Sequence, residues 1–352
     1  MNSEPVKSRR DFLTHRSANV TDPPTVPVAG NTVRLATRAM ACEFSVVMNP
    51  GSHSDVPVAS DALEIVHNIE TWLSIYRVDS ELSQINRVAG EGPVPVRREL
   101  FELLRTSVRL HSLTDGAFDI AMGRQIQLWR SCRAENRLPT DSEVEAALAA
   151  SGSQHLRLDA DNQTVEFARA GLRLDPGAIG KGYALDEAVH WLTSSSKGPA
   201  SCLLHGGHSS VVARGQHNGV DGWPVGIGNP LFTQKRLGTV LLKNQALSTS
   251  GSNIQFFRVG EKRYGHILDP RTARPVEGML SVTVLADSAA VADAVSTAFF
   301  VLGVENARKY CDNLENVAVI LIPFPTGKKV TPTVIGVPSS RIFWDEQQVV
   351  MA

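Results

Sequence analysis

An aspartate and a threonine four residues apart on a helix put a carboxylate and a hydroxyl on one face. The run Ala292-Asp293-Ala294-Val295-Ser296-Thr297 has this spacing. Two such oxygens suit a hard cation such as Mg²⁺, which prefers oxygen ligands and keeps some of its waters. The plainer reading is helix polarity, with the hydroxyl bonded to the preceding turn. A second stretch, Asp175-Pro176-Gly177-Ala178-Ile179-Gly180-Lys181-Gly182-Tyr183, holds three glycines within six residues. Such a segment can turn sharply and let its backbone approach a ligand. The helix expected after it would aim free N–H groups and its positive end at a phosphate, and Lys181 adds a charge. The spacing is not that of a P-loop, and Gly182 stands where a P-loop has its hydroxyl residue. The plainer alternative is a strand-to-helix turn with an incidental lysine.

Four further stretches carry groups able to do chemistry. His266-Ile267-Leu268-Asp269-Pro270-Arg271-Thr272 puts an imidazole at the end of a strand-like segment, where it could act as a general base. A lone histidine is more often structural. Thr114-Asp115-Gly116-Ala117-Phe118-Asp119 reads as a loop that could orient a polar heterocycle. Tyr76, at the end of a helical pattern in an aromatic-poor chain, could stack on a flat ring or be a half-buried core residue. His205-Gly206-Gly207-His208 has two histidines but no third metal ligand in view.

The patterns around these residues mix helices and strands. Val33–Ala36 and Phe44–Met48 read as strands around Met40-Ala41-Cys42. Ala62, Ile65, Val66, Ile69, Trp72 and Leu73 predict an amphipathic helix starting at Ser60 or Asp61. Helices are also expected from about Arg98 to His111, from Ser142 to Ala150 with a left-handed stop at Gly152, and from Lys181 to Leu192. Two more are expected over Ala289–Leu302 and Glu305–Asn313. A hairpin is predicted across Leu156–Phe167, and short strands at Cys202–Leu204, Ser210–Ala213, Pro224–Ile227, Thr239–Leu242, Leu280–Leu285 and Val317–Ile322. The mixture lacks a regular βαβ alternation, so the expected class is α+β in one large ordered unit.

Composition narrows the functions. The 352 residues carry 35 Lys+Arg against 36 Asp+Glu, a balance that leaves no electrostatic footprint for nucleic acid. No apolar run approaches the roughly 20 residues that span a bilayer, so no transmembrane segment is expected. Four scattered cysteines form neither a disulfide framework nor a zinc site. Residues 1–32 lack periodicity and read as a disordered arm. Within it, Ser8-Arg9-Arg10-Asp11-Phe12-Leu13 is similar to a twin-arginine export motif, yet Thr14–Asn19 is polar where export needs an apolar stretch. There is no lipobox cysteine either. The arm favours a cytoplasmic location.

Taken in order, these stretches resemble one family. Met40, Leu73-Ser74-Ile75-Tyr76 with Ser80-Glu81-Leu82, Asp115–Asp119, Asp175–Tyr183, Gly206-Gly207, Ser250-Gly251, His266–Thr272 and Ala292-Asp293 with Thr297 together resemble the ApbE family of flavin transferases, from about Val33 to Ile322, within a domain expected over residues 33–345. The resemblance implies an α+β fold of antiparallel sheets and packed helices. It implies an FAD:protein FMN transferase that attaches FMN through a phosphoester to a Thr or Ser of an acceptor protein and releases AMP. It also implies Mg²⁺ held by Asp293, Thr297 and the Ala178 carbonyl. Met40, Tyr76, Ala117, Phe118, Asp119, Asp175, Lys181 and Ile267 are implied FAD contacts. His266 is the implied base, assisted by Lys181. Family analogy leaves the periplasmic side open as a location. Four places depart from the pattern: Ala41-Cys42 after Met40, Ala273 after Thr272, Ile120-Ala121-Met122, and the histidines flanking Gly206-Gly207. They bear on the shape of the FAD pocket. Hydrolysis of FAD to FMN and AMP, or FAD binding without turnover, remain alternatives because the same groups serve them.

Overall fold

A computed structural model describes residues 31–51, 55–232, 234–252, 256–325 and 329–349. The arm expected over residues 1–32, with its twin-arginine-like run, lies outside these apart from its last two residues.

The main sheet has eight strands whose spatial order follows the chain: Val33–Ala39, Cys42–Met48, Cys202–Gly206, Ser210–Arg214, Ala246–Gly251, Met279–Ala286, Ala318–Pro323 and Thr333–Ile335. Every neighbouring pair is antiparallel. Side chains on a strand alternate between faces. Leu204, Val212, Ala246 and Leu321 enter one core, and Leu203, Val211, Leu247 and Ile320 enter another. The first core is filled by helices. Among the described residues the helices are α1 (Asp55–Leu73), α2 (Glu81–Val88), α3 (Arg98–Leu113), α4 (Gly123–Ala134), α5 (Asp141–Ala149), α6 (Gly180–Ser194) and α7 (Ala289–Cys311); α1, α2, α3, α6 and α7 supply this core, and α4 and α5 pack against each other. The second is closed by a three-stranded sheet of Trp223–Gly228, Arg236–Leu242 and Ile342–Trp344. Both cores share the main sheet, and Met279–Ala286 is buried at every position because it is covered on both sides. The chain is one α+β unit.

Several sequence expectations change. α1 begins at Asp55, upstream of Ser60, because Val58 and Ala59 extend its buried face and Pro57 is tolerated in a first turn. α2 and α4 have no counterpart among the helices expected from the sequence. α2 is short, and its cap is Ser80, whose Oγ accepts from Ser83 N. α4 buries few side chains, Trp129 and Cys132 among them, so its apolar period is weak. α5 has the capping box of Thr140 and Glu143 and ends at Ala149, and Gly152, with φ 117° and ψ 122°, leads into a short 3₁₀ turn rather than forming the left-handed stop. The two helices expected over 289–313 meet end to end in α7, broken at Gly303 with φ 71° and ψ 179°. An 18-residue window of this helix has a mean hydropathy of 1.3, enough in length and composition to cross a bilayer. Here 61% of its apolar window is buried between the main sheet and its neighbouring helices.

The start of α7 is tied to α6. Half-buried Asp186 of α6 accepts from Ser288 Oγ (2.7 Å), Ala289 N (2.7 Å) and Ala290 N (2.9 Å). These are the donors that a helix N-terminus leaves without internal partners. Asp186→Ala would strand them, and urea unfolding is expected to show a loss of roughly 1–3 kcal/mol. An unchanged midpoint would mean that the cap does not hold the two helices together.

Candidate active site

The Asp293 carboxylate lies on the helix-facing side of the main sheet and is 5% exposed. Ser248 Oγ (2.8 Å) and Ser210 Oγ (3.1 Å) both donate to its Oδ1. These serines are direct cross-strand partners. Oδ2 accepts from Lys181 Nζ (3.3 Å) and from the backbone N–H of Gly182 (3.2 Å). An uninterrupted helix would send that N–H to the Ala178 carbonyl. One turn along α7, Thr297 Oγ1 is 3.0 Å from Ser250 Oγ and 3.3 Å from the Asp293 carbonyl. Ser248 and Ser250 are two apart on one strand and share a face. Asp293 and Thr297 are four apart on one helix. The two periods bring both pairs into register.

Close approach of α6 and α7 makes this arrangement possible. A Cβ on Gly182 would sit 2.1 Å from the Ala289 carbonyl oxygen, so only glycine fits there. Of the three glycines in that stretch, this one is needed for helix packing.

The turn Met40-Ala41 lies beside the same group. Both residues are left-handed, with φ of 49° and 61°. The Met40 N–H donates to Glu70 of α1 at 2.8 Å. The neighbouring Cys42 thiol feels the charges of Lys181 and Asp293, and burial pushes its pKa up, so it stays a neutral thiol.

A second group forms around Asp175. Its N–H donates to the Ile120 carbonyl (2.8 Å), which joins it to the Ala117–Asp119 loop. Its Oδ1 accepts from Gly177 N (2.9 Å), and Arg130 lies 3.7 Å from Oδ2. The Arg130 guanidinium also sits 5.4 Å from the Tyr76 ring centroid. Tyr76 is 73% exposed, which removes the core reading and leaves a ring face available. Ala117 and Phe118 are buried. The Asp119 carboxylate turns inward to Ala121 N and to Ser153, with His111 3.4 Å away. These three residues can meet a ligand chiefly through backbone atoms. Two clefts beside the loop, lined by His111, Gly116, Gln154 and Arg271, include neither Asp293 nor Lys181 nor Thr297.

His266 is exposed, between the hairpin strand Lys262–Gly265 and the strand Leu268–Asp269. Buried Ile267 follows, and its carbonyl accepts from Val276 N at 2.9 Å. The loop is clamped to α4 by Gln125 Nε2 on the Pro270 carbonyl (2.9 Å) and Trp129 Nε1 on the Ala273 carbonyl (2.7 Å). The sequence gives no site role to Ser210, Ser248 or Arg130, and Ser250 enters it only as part of the motif Ser250-Gly251. The Ser-Thr-Ser alternation at 248–250 is a usable signal that Ser248 shares a face with Ser250. Arg130 lies on the helix that was itself missed.

The fold and this grouping define a flavin-transferase type of architecture among known proteins. The sequence model of the ApbE family matches residues 39–321, and the chain belongs to that family. It is 30% identical over 270 residues to an FAD:protein FMN transferase of Klebsiella pneumoniae, covering 76% of this chain and 83% of the relative. It is 31% identical over 277 residues to the Salmonella typhimurium protein of the same name, covering 75% and 78%. The crystal structure of the ApbE protein of Thermotoga maritima is similar at a TM-score of 0.76 and 30% identity, covering 83% of this chain and 94% of that one. The flavin transferase ApbE of Vibrio cholerae aligns at 0.75 and 26% identity, covering 87% and 97%.

Burial raises the pKa of Asp175, against the opposing effects of the Gly177 N–H and of Arg130 and Arg173. A carboxyl whose folded pKa is raised contributes stability below its unfolded pKa, and this is lost as pH rises through the folded value. Asp175→Asn keeps an acceptor for Gly177 and removes the buried charge. Thermal unfolding should therefore place the variant above the wild type at neutral pH, with the difference closing in acid. A variant less stable at neutral pH would show that the charge is stabilised.

Proposed function

We propose that this chain is a Mg²⁺-dependent FAD:protein FMN transferase, joining FMN through a phosphoester to a Thr or Ser of an acceptor protein with release of AMP. The observation that carries the reading is the alignment of Asp293 and Thr297 with Lys181 and the start of α6, in a chain of the ApbE family. The names of its relatives support the same activity.

The donor set fits the metal. A carboxylate, a hydroxyl and the Ala178 carbonyl are hard oxygen ligands of the kind Mg²⁺ takes, with substrate phosphates and water completing its shell. When bound, Mg²⁺ neutralises charge on the pyrophosphate.

The other roles follow from the residues. Lys181 and the α6 N-terminus bind phosphate oxygens and stabilise the charge that develops as the bond to AMP breaks. Tyr76 stacks on a ring of FAD, and Asp175, the Ala117–Asp119 backbone, Met40 and Ile267 line the remainder. His266 takes the proton from the acceptor hydroxyl as its oxygen attacks the FMN phosphorus. The P–O bond to the acceptor forms, the P–O–P bridge breaks, and AMP leaves.

The test is to incubate the protein with FAD, Mg²⁺ and candidate acceptor domains and to follow in-gel flavin fluorescence and AMP. Labelled acceptor with AMP is expected. FMN and AMP without label would make it an FAD pyrophosphatase, and bound FAD without products a flavin-binding protein. Asp293→Ala should abolish the Mg²⁺-dependent rate, and an unchanged rate would refute the metal assignment. His266→Ala should retain FAD binding and lose about 10²–10⁴-fold in transfer, the range for a general base. Undiminished transfer would remove it from that role.

A further inference from the structure

The hairpin Phe256–Gly265 is a two-stranded sheet of its own that ends one residue before His266. Its strands pair Phe257 with Tyr264 and Arg258 with Arg263. Period-2 alternation gives the hairpin two faces of different character. On the inner face, Phe257 and Tyr264 stack at 5.4 Å and pack on Trp129 of α4, with ring centroids 5.6 and 6.2 Å from it. Trp129 also holds the His266 loop through the Ala273 carbonyl. One side chain thus fixes the hairpin and the loop relative to each other.

On the outer face Arg258 and Arg263 are directly opposite each other, and both are exposed. Like charges at such a position destabilise a sheet. No carboxylate among the described residues forms an ion pair with either. The nearby Glu277 is taken by Lys262 at 2.9 Å. The Arg263 guanidinium lies over Phe256, 3.6 Å from the ring centroid. The strand residues Arg258, Lys262 and Arg263 and the turn residue Glu261 give the hairpin an excess of positive charge, in a chain whose formal net charge is -1. The face also has free backbone edges, since no third strand joins the hairpin among the described residues.

We infer that this outer face is the docking surface for an acidic, extended segment of the acceptor protein. The segment's carboxylates would bridge Arg258 and Arg263 and so relieve their mutual repulsion. The docked chain would then run on to His266, where its hydroxyl reacts. The inference rests on the transferase reading and adds to it the charge of the partner and the place where it binds.

Two synthetic threonine peptides test this, one flanked by aspartates and one by asparagines, with FAD and Mg²⁺ present. The aspartate peptide is expected to be labelled with a KM lower by about tenfold, an advantage that fades with added salt. Arg258→Glu combined with Arg263→Glu should abolish the preference while FAD affinity and kcat on the asparagine peptide stay as in the wild type. Arg258→Lys with Arg263→Lys should keep it, and a lysine-flanked peptide should favour the Glu variant. Equal KM values for the two peptides in the wild type, or a preference that survives charge reversal, would overturn the inference while leaving the transferase reading intact. Tighter competition by a single-stranded oligonucleotide of equal charge would assign the face to nucleic acid and overturn it as well. If neither peptide is labelled and no AMP is released, the transferase reading fails and takes this inference with it.

Discussion

A single buried carboxylate organises this protein. Asp293 receives hydrogens from two strands of the main sheet, from the backbone at the start of α6 and from a lysine side chain. Burying a charge is costly unless it is paired and hydrogen-bonded. Here four donors meet that cost, and each comes from an element that something else must hold in place. The sheet supplies the serines at cross-strand positions. The Asp186 cap and the bare Cα of Gly182 let α6 and α7 approach closely enough for the N–H and the ammonium to reach across.

The same constraint separates the site into parts with different tolerance. Around Asp293 the polar atoms are buried and their partners are fixed. Around Tyr76 and Arg130 the groups are exposed and joined by a cation–ring contact. The His266 loop depends on α4, since Gln125 and Trp129 hold its backbone. A buried carboxylate, an exposed ring beside an arginine and an imidazole on a clamped loop are the parts that the proposed transfer would use.

Much of this was legible in the sequence because it rests on local periods. The i, i+4 pair in α7, the glycine-rich turn into α6 and the alternating strands were all readable, and the order of motifs named the family. Non-local facts were not readable. Nothing near Asp186 in the chain says that it caps a helix a hundred residues away. α4 was missed because its buried side chains are few and separated by Arg and Gln, although it carries Arg130 and the clamp on the His266 loop. Asp119 looked like a ligand-facing carboxylate, and only the folded loop shows it turned onto Ser153.

Binding of Mn²⁺, a spectroscopic substitute for Mg²⁺, addresses the role of Asp293 without relying on turnover. Electron paramagnetic resonance titrations in the presence of FAD should show one bound ion in the wild type. Asp293→Asn should stay folded by near-ultraviolet circular dichroism and bind the ion at least about tenfold more weakly, having lost the one charged group of the proposed ligand set. Wild-type affinity in a folded Asp293→Asn protein would contradict the placement of the metal, and with it the reading of this carboxylate as the centre of the site.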